Sequence, residues 1–457
     1  MRRYHSHSNR KGEQGLIITL VAVFMASVVV VMAALAIDVT TFYTARSEAQ
    51  LAADGAALAA ARVLANSGMT SLSSVNDLSP TPFPLGTTET LATTAAVKVA
   101  ESNSIGGKAP SSAGACGAAQ ISVCFNDSDA NFMSNPHVTV KVSRTDLPTF
   151  FLRFWSKQLT VSASATAEAY NPSGLSTKAV PAAPVAPMCV KPWLLPNYDV
   201  TRQPPLNTIF NAGTGAVTDP TLIGQTSPTW TALTSQTPAN GLTPGQYYAA
   251  AVAVGASVNE LPVPTQALPA CSSGFTSYQL AIAGCVSTPI QCGKGQKLKI
   301  DENPYPNRDA DTVAAVECLI HTKGNQLESD QIDGTLSGNS TATYFFPPFE
   351  FTAGLNNPVT ASLGQVDVLV SDSLVTIPVY NSSGLTAPKN ASVTVIGFLQ
   401  VFLNPHSAAL PTPPASPPPY SVPVTIVNQI GCGTDATGTP VYGNGPSAVP
   451  VRLITPP

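Results

Sequence analysis

Residues 16–37 read LIITLVAVFMASVVVVMAALAI, a run of 22 residues without a charge. At 1.5 Å of rise per residue, a helix of this length extends about 33 Å, enough to cross the ~30 Å hydrocarbon core of a bilayer. Arg2, Arg3, Arg10 and Lys11 precede the run, whereas Asp38 follows it and the next cation is Arg46. This asymmetry places residues 1–15 in the cytoplasm as a basic tail and everything after the helix outside it. A cleaved secretory signal has a shorter apolar region of about 7–15 residues, so the run reads as an anchor although Ala34-Leu35-Ala36 imitates a cleavage site.

Beyond the anchor, Asp38 to Ala65 continues in helix-forming residues, alanine foremost. Phe42, Ala45, Ala49, Ala52, Ala56, Ala59 and Val63 recur at spacings of three and four and draw one seam along the helix. Asp54 falls on the opposite face. Small residues along a seam let a second helix approach closely, which points to another protein's helix. Packing of the same seam on the chain's own globular part is the equal alternative.

Gly15, the apolar run, Ala36-Ile37-Asp38-Val39, Tyr43, Arg46 and Gln50-Leu51-Ala52-Ala53-Asp54-Gly55-Ala56-Ala57-Leu58-Ala59 together resemble the N-terminal module of TadG-like proteins, from the tight-adherence (Flp) pilus assembly systems of bacteria. The resemblance covers roughly 50 residues and is specific as a combination. Gly55 stands where that family's run usually has alanine. Gly15 also ends a basic leader as in prepilins, but the fifth residue after it is Leu20 and not the expected glutamate. The resemblance implies a single-pass protein of the bacterial inner membrane, N-terminus inside, with most of the chain periplasmic. It implies an accessory role in pilus assembly by scaffolding and helix packing, with other pilus-assembly proteins or prepilin-like helices as partners. It implies no catalytic residue.

The fold class expected is α+β. The membrane helix continues into the alanine-rich helix at 38–65, a small α+β domain follows at 66–170, a Pro/Ala linker at 171–187, and a larger mainly-β domain at 188–457. In the small domain, a helix is read over Thr90–Ser102 and strands at 121–125 and 138–142. Residues Leu159 to Ala169 alternate apolar and polar over eleven positions, the clearest strand pattern in the chain. Phe150, Phe151, Phe154 and Trp155 suggest a short amphipathic helix, which reads as a core cover in preference to a membrane-surface contact. The larger domain shows strands at 246–254, 374–380, 392–403 and 422–430, and one clear helix from Asp309 to His321. PTPPASPPP within 409–423 reads as a polyproline loop. The Cys189-Val-Lys-Pro-Trp193 run and the Tyr278-x-x-x-Ile282-x-x-Cys285 pattern resemble the long C-terminal regions of some TadG-related proteins.

Charged residues make up 11% of the chain and the formal net charge is −4, so no basic stripe exists to neutralise phosphates and nucleic acid is not a partner. The 42 prolines fall mostly after position 170 and exclude long helices there. Eight cysteines all lie beyond the anchor, as disulfides in an oxidising compartment require. Cys116 and Cys124 are expected to close a local hairpin. Cys271, Cys285, Cys292 and Cys318 are expected to pair among themselves, and Cys189 with Cys432.

The search for chemistry finds little. Asp77-Leu78-Ser79-Pro80-Thr81 approaches the D-x-S-x-S metal motif carried by some TadG-like proteins, but no apolar strand precedes it and a proline interrupts it. Asp301, Glu302, Asn307, Asp309 and Asp311 gather oxygen ligands as calcium favours, without the glycine turn and distal glutamate of a known loop, so they remain weak calcium candidates against a solvated turn and helix cap. A Cys/His hydrolase drawn from Cys271 or Cys285 with His321 requires a free thiol. No nucleotide, zinc-protease or nucleophile-elbow motif occurs, so neither an enzyme nor a cofactor is read. The alternative to an assembly role is an anchored surface adhesin or glycan-binding module, its ligand unnamed.

Overall fold

The computed structural model describes residues 11–78, 82–117, 119–149, 159–175, 183–198, 208–224, 232–235, 246–265, 268–293, 296–301, 308–322, 328–333, 347–358, 370–382, 391–404, 422–443 and 447–454. The aromatic cluster at 150–155, Glu302, Asn307 and most of the polyproline loop lie outside them. The architecture is α+β with the larger part β. The chain divides into two compact units. The first comprises 1–56, 97–124 and 140–165, the second 57–96, 125–139 and 166–457.

Helix α1 (Lys11–Asn66) is one uninterrupted helix of 56 residues, joining the expected membrane segment and the alanine-rich segment without a break. No proline occurs in it, and alanine, leucine and valine dominate. Helix α2 (Leu85–Glu101) follows, starting five residues before the expected Thr90, and it buries Thr88, Ala92, Ala96 and Ala100 at a strict spacing of four.

A five-stranded sheet is then built from β1 (Ala113–Ala115), β2 (Ile121–Phe125), β3 (His137–Leu147) and β4 (Leu159–Ala169), with order β1-β2-β3-β4 and the C-terminal β16 (Val451–Ile454) beside β4. In the first unit, Val140 and Val142 of β3 and Val161 of β4 alternate inward, as the period-two pattern requires. In the second unit, β16 runs antiparallel to β4, pairing Val451 with Ala169 and Ile454 with Thr166. The C-terminus thus returns to the sheet of the small domain, across the boundary read at 171–187. Helix α3 (Pro172–Leu175) opens that segment, and Pro184 to Pro187 are buried, with Val185 bridging Val441.

The second unit is organised by a closed ring of strands. β5 (Trp193–Pro196), β6 (Ala232–Ser235), β7 (Gln246–Ala249), β13 (Leu374–Tyr380), β14 (Ser392–Leu403) and β15 (Val422–Gly431) pair in the order β14-β13-β5-β7-β6-β15, and β15 pairs back onto β14. Closure removes the unpaired edges that an open sheet presents. β13, β14 and β15 are buried on both faces, so their sequences read as near-continuous apolar runs. A bulge at Gln400/Val401 resets the register between β14 and β15. Short strands decorate the ring: β8 (Val252–Ala253) with β9 (Leu261–Pro262), β10 (Lys297–Lys299) on β14, and β11 (Gln331–Asp333) with β12 (Glu350–Thr352). Helices α4 (Ser277–Ala283) and α5 (Arg308–Leu319) complete the core, in which Trp193, Tyr247, Ile282, Val316, Ile377, Leu399 and Ile426 are buried. A capping box of Thr276 and Gln279 starts α4, a helix too short for its periodicity to stand out in the sequence.

Four disulfides form: Cys116–Cys124, Cys189–Cys285, Cys271–Cys318 and Cys292–Cys432. The first is the expected local closure, and Cys271–Cys318 falls within the expected group. The Cys189–Cys432 pairing is wrong, as is confinement of Cys285 and Cys292 to that group. The reason lies in backbone pairing. Cys189 N–H donates to the Val286 carbonyl at 2.9 Å, which sets it beside Cys285. Gly293 N–H donates to Val395 and Cys432 N–H to Ile396, so adjacent residues of β14 draw Cys292 and Cys432 together.

Candidate functional site

From Leu16 to Met32, α1 turns large apolar side chains outward, with Leu16 72% and Phe24 65% exposed. None of the most apolar window is buried within the chain. Such a surface is of the kind that a membrane or a partner covers, and by length and composition the helix is a candidate to span a bilayer. Its hydroxyls are satisfied internally: Thr19 Oγ1 donates to the Gly15 carbonyl at 2.8 Å and Ser27 Oγ to Phe24 at 2.7 Å.

Past Ile37 the pattern inverts. Asp38, Ala45, Ala49, Ala52, Ala53 and Ala56 are buried by the chain, whereas Tyr43 and Leu51 are exposed. Of the seam residues, Ala45, Ala49, Ala52, Ala56 and Ala59 are buried and Phe42 and Val63 half-buried. In the first unit, Glu48 accepts the Gly106 N–H at 2.6 Å, and Val99 lies 3.4 Å from where a Cβ on Gly55 would stand. Buried Arg144 of β3 donates to the carbonyls of Ile105 and Gly106 and to Asp146 Oδ1 at 2.8 Å. The Arg144 and Lys108 cations hold the Asp146 carboxyl down at about 2.

At the other end of α1, within the second unit, a buried polar cluster latches the last turn to the ring. A helix leaves its final carbonyls without intrahelical donors. Asn428 of β15 supplies one, donating Nδ2 to the Ala65 carbonyl at 2.6 Å and to Gln400 Oε1 at 2.7 Å. Its Oδ1 accepts from Thr70 and Ser71. Gln400 Nε2 reaches Asn66 Oδ1 at 3.3 Å, and Ser71 Oγ accepts the Gln429 N–H at 2.8 Å. Gly68, at φ +87, turns the chain where a Cβ would meet Phe349, Ile223 and Val427 within 3.0–3.3 Å. Sequence reading missed the latch. Its polar residues come from segments hundreds of positions apart, and its only local trace is Asn428-Gln429 inside an apolar strand.

A second buried cluster joins α4 and α5 to the ring. Lys191 Nζ donates to the carbonyls of Ile282 and Gly284 at 2.5 and 2.9 Å, and its burial pushes the amine down to about 7. Trp193 Nε1 donates to Tyr278 OH, which meets Tyr247 OH at 3.0 Å and Thr312 Oγ1 at 3.0 Å. Burial raises both tyrosines above their ordinary value. The Arg308 guanidinium lies 5.2 Å over the Tyr278 ring and donates to Asp301 Oδ2 at 2.8 Å. The Cys189–Trp193 and Tyr278–Cys285 stretches singled out in the sequence therefore meet here, joined by a disulfide.

Of the calcium candidates, Asp301, Asp309 and Asp311 lie among the described residues. Asp301 pairs with Arg308, Asp311 Oδ1 accepts from Gln279 Nε2 at 3.4 Å, and Asp309 sits in the first turn of α5. No cluster of three or more metal-ligating side chains forms among the described residues. Asp77 accepts hydrogen bonds from the amides and hydroxyls of Ser73 and Ser74, closing a turn. Cys271 and Cys285 are both in disulfides, and His321 pairs with Asp372 at 2.9 Å.

Among protein families, residues 17–63 match Tad, described as putative Flp pilus-assembly TadE/G-like. No curated protein and no solved structure matches the chain. The matched segment begins one residue into the apolar run and ends three residues before the end of α1, so it covers the outward-facing apolar stretch and the alanine-lined stretch of one helix. The N-terminal helix is therefore similar, over residues 17–63, to the TadE/G-like segment of putative Flp pilus-assembly proteins.

Proposed function

We propose that this protein is a membrane-anchored accessory component of Flp/Tad-type pilus assembly, acting as a scaffold and not as a catalyst. One observation carries the reading. The helix that bears the pilus-assembly module has no break, and its last turn is hydrogen-bonded into the polar latch of Asn428, Gln400 and Ser71. A module built this way presents surfaces, and the side chains of Asn428, Gln400 and Ser71 are engaged in hydrogen bonds. Basic residues before the apolar run support an N-terminus in the cytoplasm of the bacterial inner membrane and an extracytoplasmic ring. Four disulfides support the same side assignment, since they persist in oxidising compartments.

The test is affinity purification of the full chain from detergent-solubilised membranes of cells expressing the pilus genes. Co-purification of inner-membrane pilus-assembly proteins or prepilins is expected. Their absence, together with binding of the intact protein to a glycan or matrix array, would establish the adhesin reading instead.

A further inference from the structure

We infer that the outer headgroup layer of the bilayer docks on the open face of α1 at Val39, Tyr43 and Arg46, past the end of the uncharged run. The inference rests on the reading that α1 spans a membrane.

The two faces of α1 part company at the end of that run. On one face, Asp38 is 2% exposed, sealed by the chain, and Thr41, Phe42 and Ala45 continue the covered stripe. On the other, Ile37, Val39 and Tyr43 remain open, Tyr43 at 68%. The sole charge between Leu16 and Tyr43 is Asp38, which the open face does not show. Along the open face the first charge is therefore Arg46, followed by Ser47 and Gln50, all exposed.

Lengths select the occupant. Leu16 to Tyr43 spans 28 residues, about 42 Å of helix. A bilayer is ~30 Å thick in its hydrocarbon and ~40–45 Å with its headgroup layers. The uncharged run fills the hydrocarbon; half of the difference, ~5–8 Å, is the outer headgroup layer. The six residues from Ile37 to Tyr43 rise about 9 Å, which sets Tyr43 at the outer edge of that layer with its side chain leaning back towards the N-terminus. A tyrosine with an apolar body and a polar tip belongs at that depth. An arginine one turn further sets its guanidinium against the headgroup phosphates. The chain's seal over Asp38 is the complementary provision, because a carboxylate at the hydrocarbon edge is otherwise costly. The occupant of this face is thus lipid, and the exposed apolar residues need no protein partner up to Tyr43.

Single-cysteine variants of the full chain test this. The described cysteines are all in disulfides, so an introduced thiol is the only free one. Val29→Cys, Val39→Cys and Ser47→Cys are labelled with bimane, reconstituted into phosphatidylcholine vesicles, and quenched with aqueous iodide or with lipid spin-labelled near the headgroup. Iodide quenching at Val39→Cys is expected to be at least fivefold weaker than at Ser47→Cys, with stronger quenching by the shallow lipid label. Equal iodide quenching at the two positions overturns the proposal while Val29→Cys stays protected. Iodide access at Val29→Cys overturns the spanning reading itself.

Discussion

The alanine half of α1 and the strand ring bury their residues in opposite ways. The helix seam encloses Ala45, Ala49, Ala52 and Ala56, side chains of one carbon, while Leu51 on the same helix stays exposed. The ring encloses Trp193, Tyr247, Phe398 and Phe402. Large apolar area stabilises the ring at roughly 25 cal/mol per Å² removed from water. Alanine contributes little by that route. Its value is that backbones approach closely and dispersion contacts accumulate between them. Hydrophobicity alone therefore does not tell which residues of this chain are inside, and size must be read with it.

The sharpest way to probe the ring is covalent. Cys292–Cys432 closes a separation of 140 residues, and both sulfurs are buried. The Cys292→Ala/Cys432→Ala double variant should lose about 2–5 kcal/mol in denaturant unfolding of the purified protein. Removing Cys116–Cys124, whose separation is 8, should cost less. Equal losses would show that the ring draws no special stability from its long closure.

The seam should fail by overfilling. Ala56 is fully buried, and Ala56→Leu should cost about 1–3 kcal/mol in melting of the detergent-solubilised full chain. Leu51→Ala should stay within about 0.5 kcal/mol, because Leu51 faces outward. A reversed order would mean that the seam is not packed as described.

The fold was legible wherever local pattern and burial agree. The strand at 159–169 with its eleven alternating positions and the apolar runs at 374–380 and 392–403 stand at the expected bounds. What was not legible depends on distant partners. Nothing near Cys189 or Cys432 reveals that Val286 and Ile396 will accept their amides. Asn428 and Gln429 look like polar intrusions in a strand until Ala65 and Ser71 arrive from α1. The return of Val451–Ile454 to β4 likewise leaves no mark beyond a short apolar alternation.

A smaller effect tests the seam from the other side. Gly55 lies inside α1, with only Val99 Cγ1 at 3.4 Å from an added methyl, an ordinary van der Waals distance. Gly55→Ala should stabilise by about 0.5–1 kcal/mol, since alanine loses less backbone entropy in a helix. A loss instead would show that α1 and α2 approach more tightly here than alanine permits.

The smallest expected effect separates the two regions by pH. The seven seam positions, Phe42, Ala45, Ala49, Ala52, Ala56, Ala59 and Val63, carry no titratable side chain, so pH does not act on them directly. In the ring's unit, His321 follows α5 in the left-handed conformation at φ +61, a place that usually falls to glycine or asparagine. Asp372 holds it through a 2.9 Å hydrogen bond that raises the imidazole above its ordinary 6.5. Asp330 adds to the shift and burial opposes it. A raised folded value means that the stabilisation is complete below pH 6.5 and is lost as pH rises through that folded value. Both partners are partly exposed, at 28% and 52%, so the loss should stay below about 1 kcal/mol. Lys191 acts in the opposite sense: its amine, lowered to about 7, makes stability rise with pH from about 7 towards 10.5. Asp372 also raises Lys191, and it stays in place in His321→Gln, so the lysine contribution cancels between wild type and variant. The difference in melting temperature between the two proteins should therefore shrink between pH 6 and pH 8. A difference that holds constant across that range would show that His321 serves only as a cap for α5, with no charge contribution from Asp372.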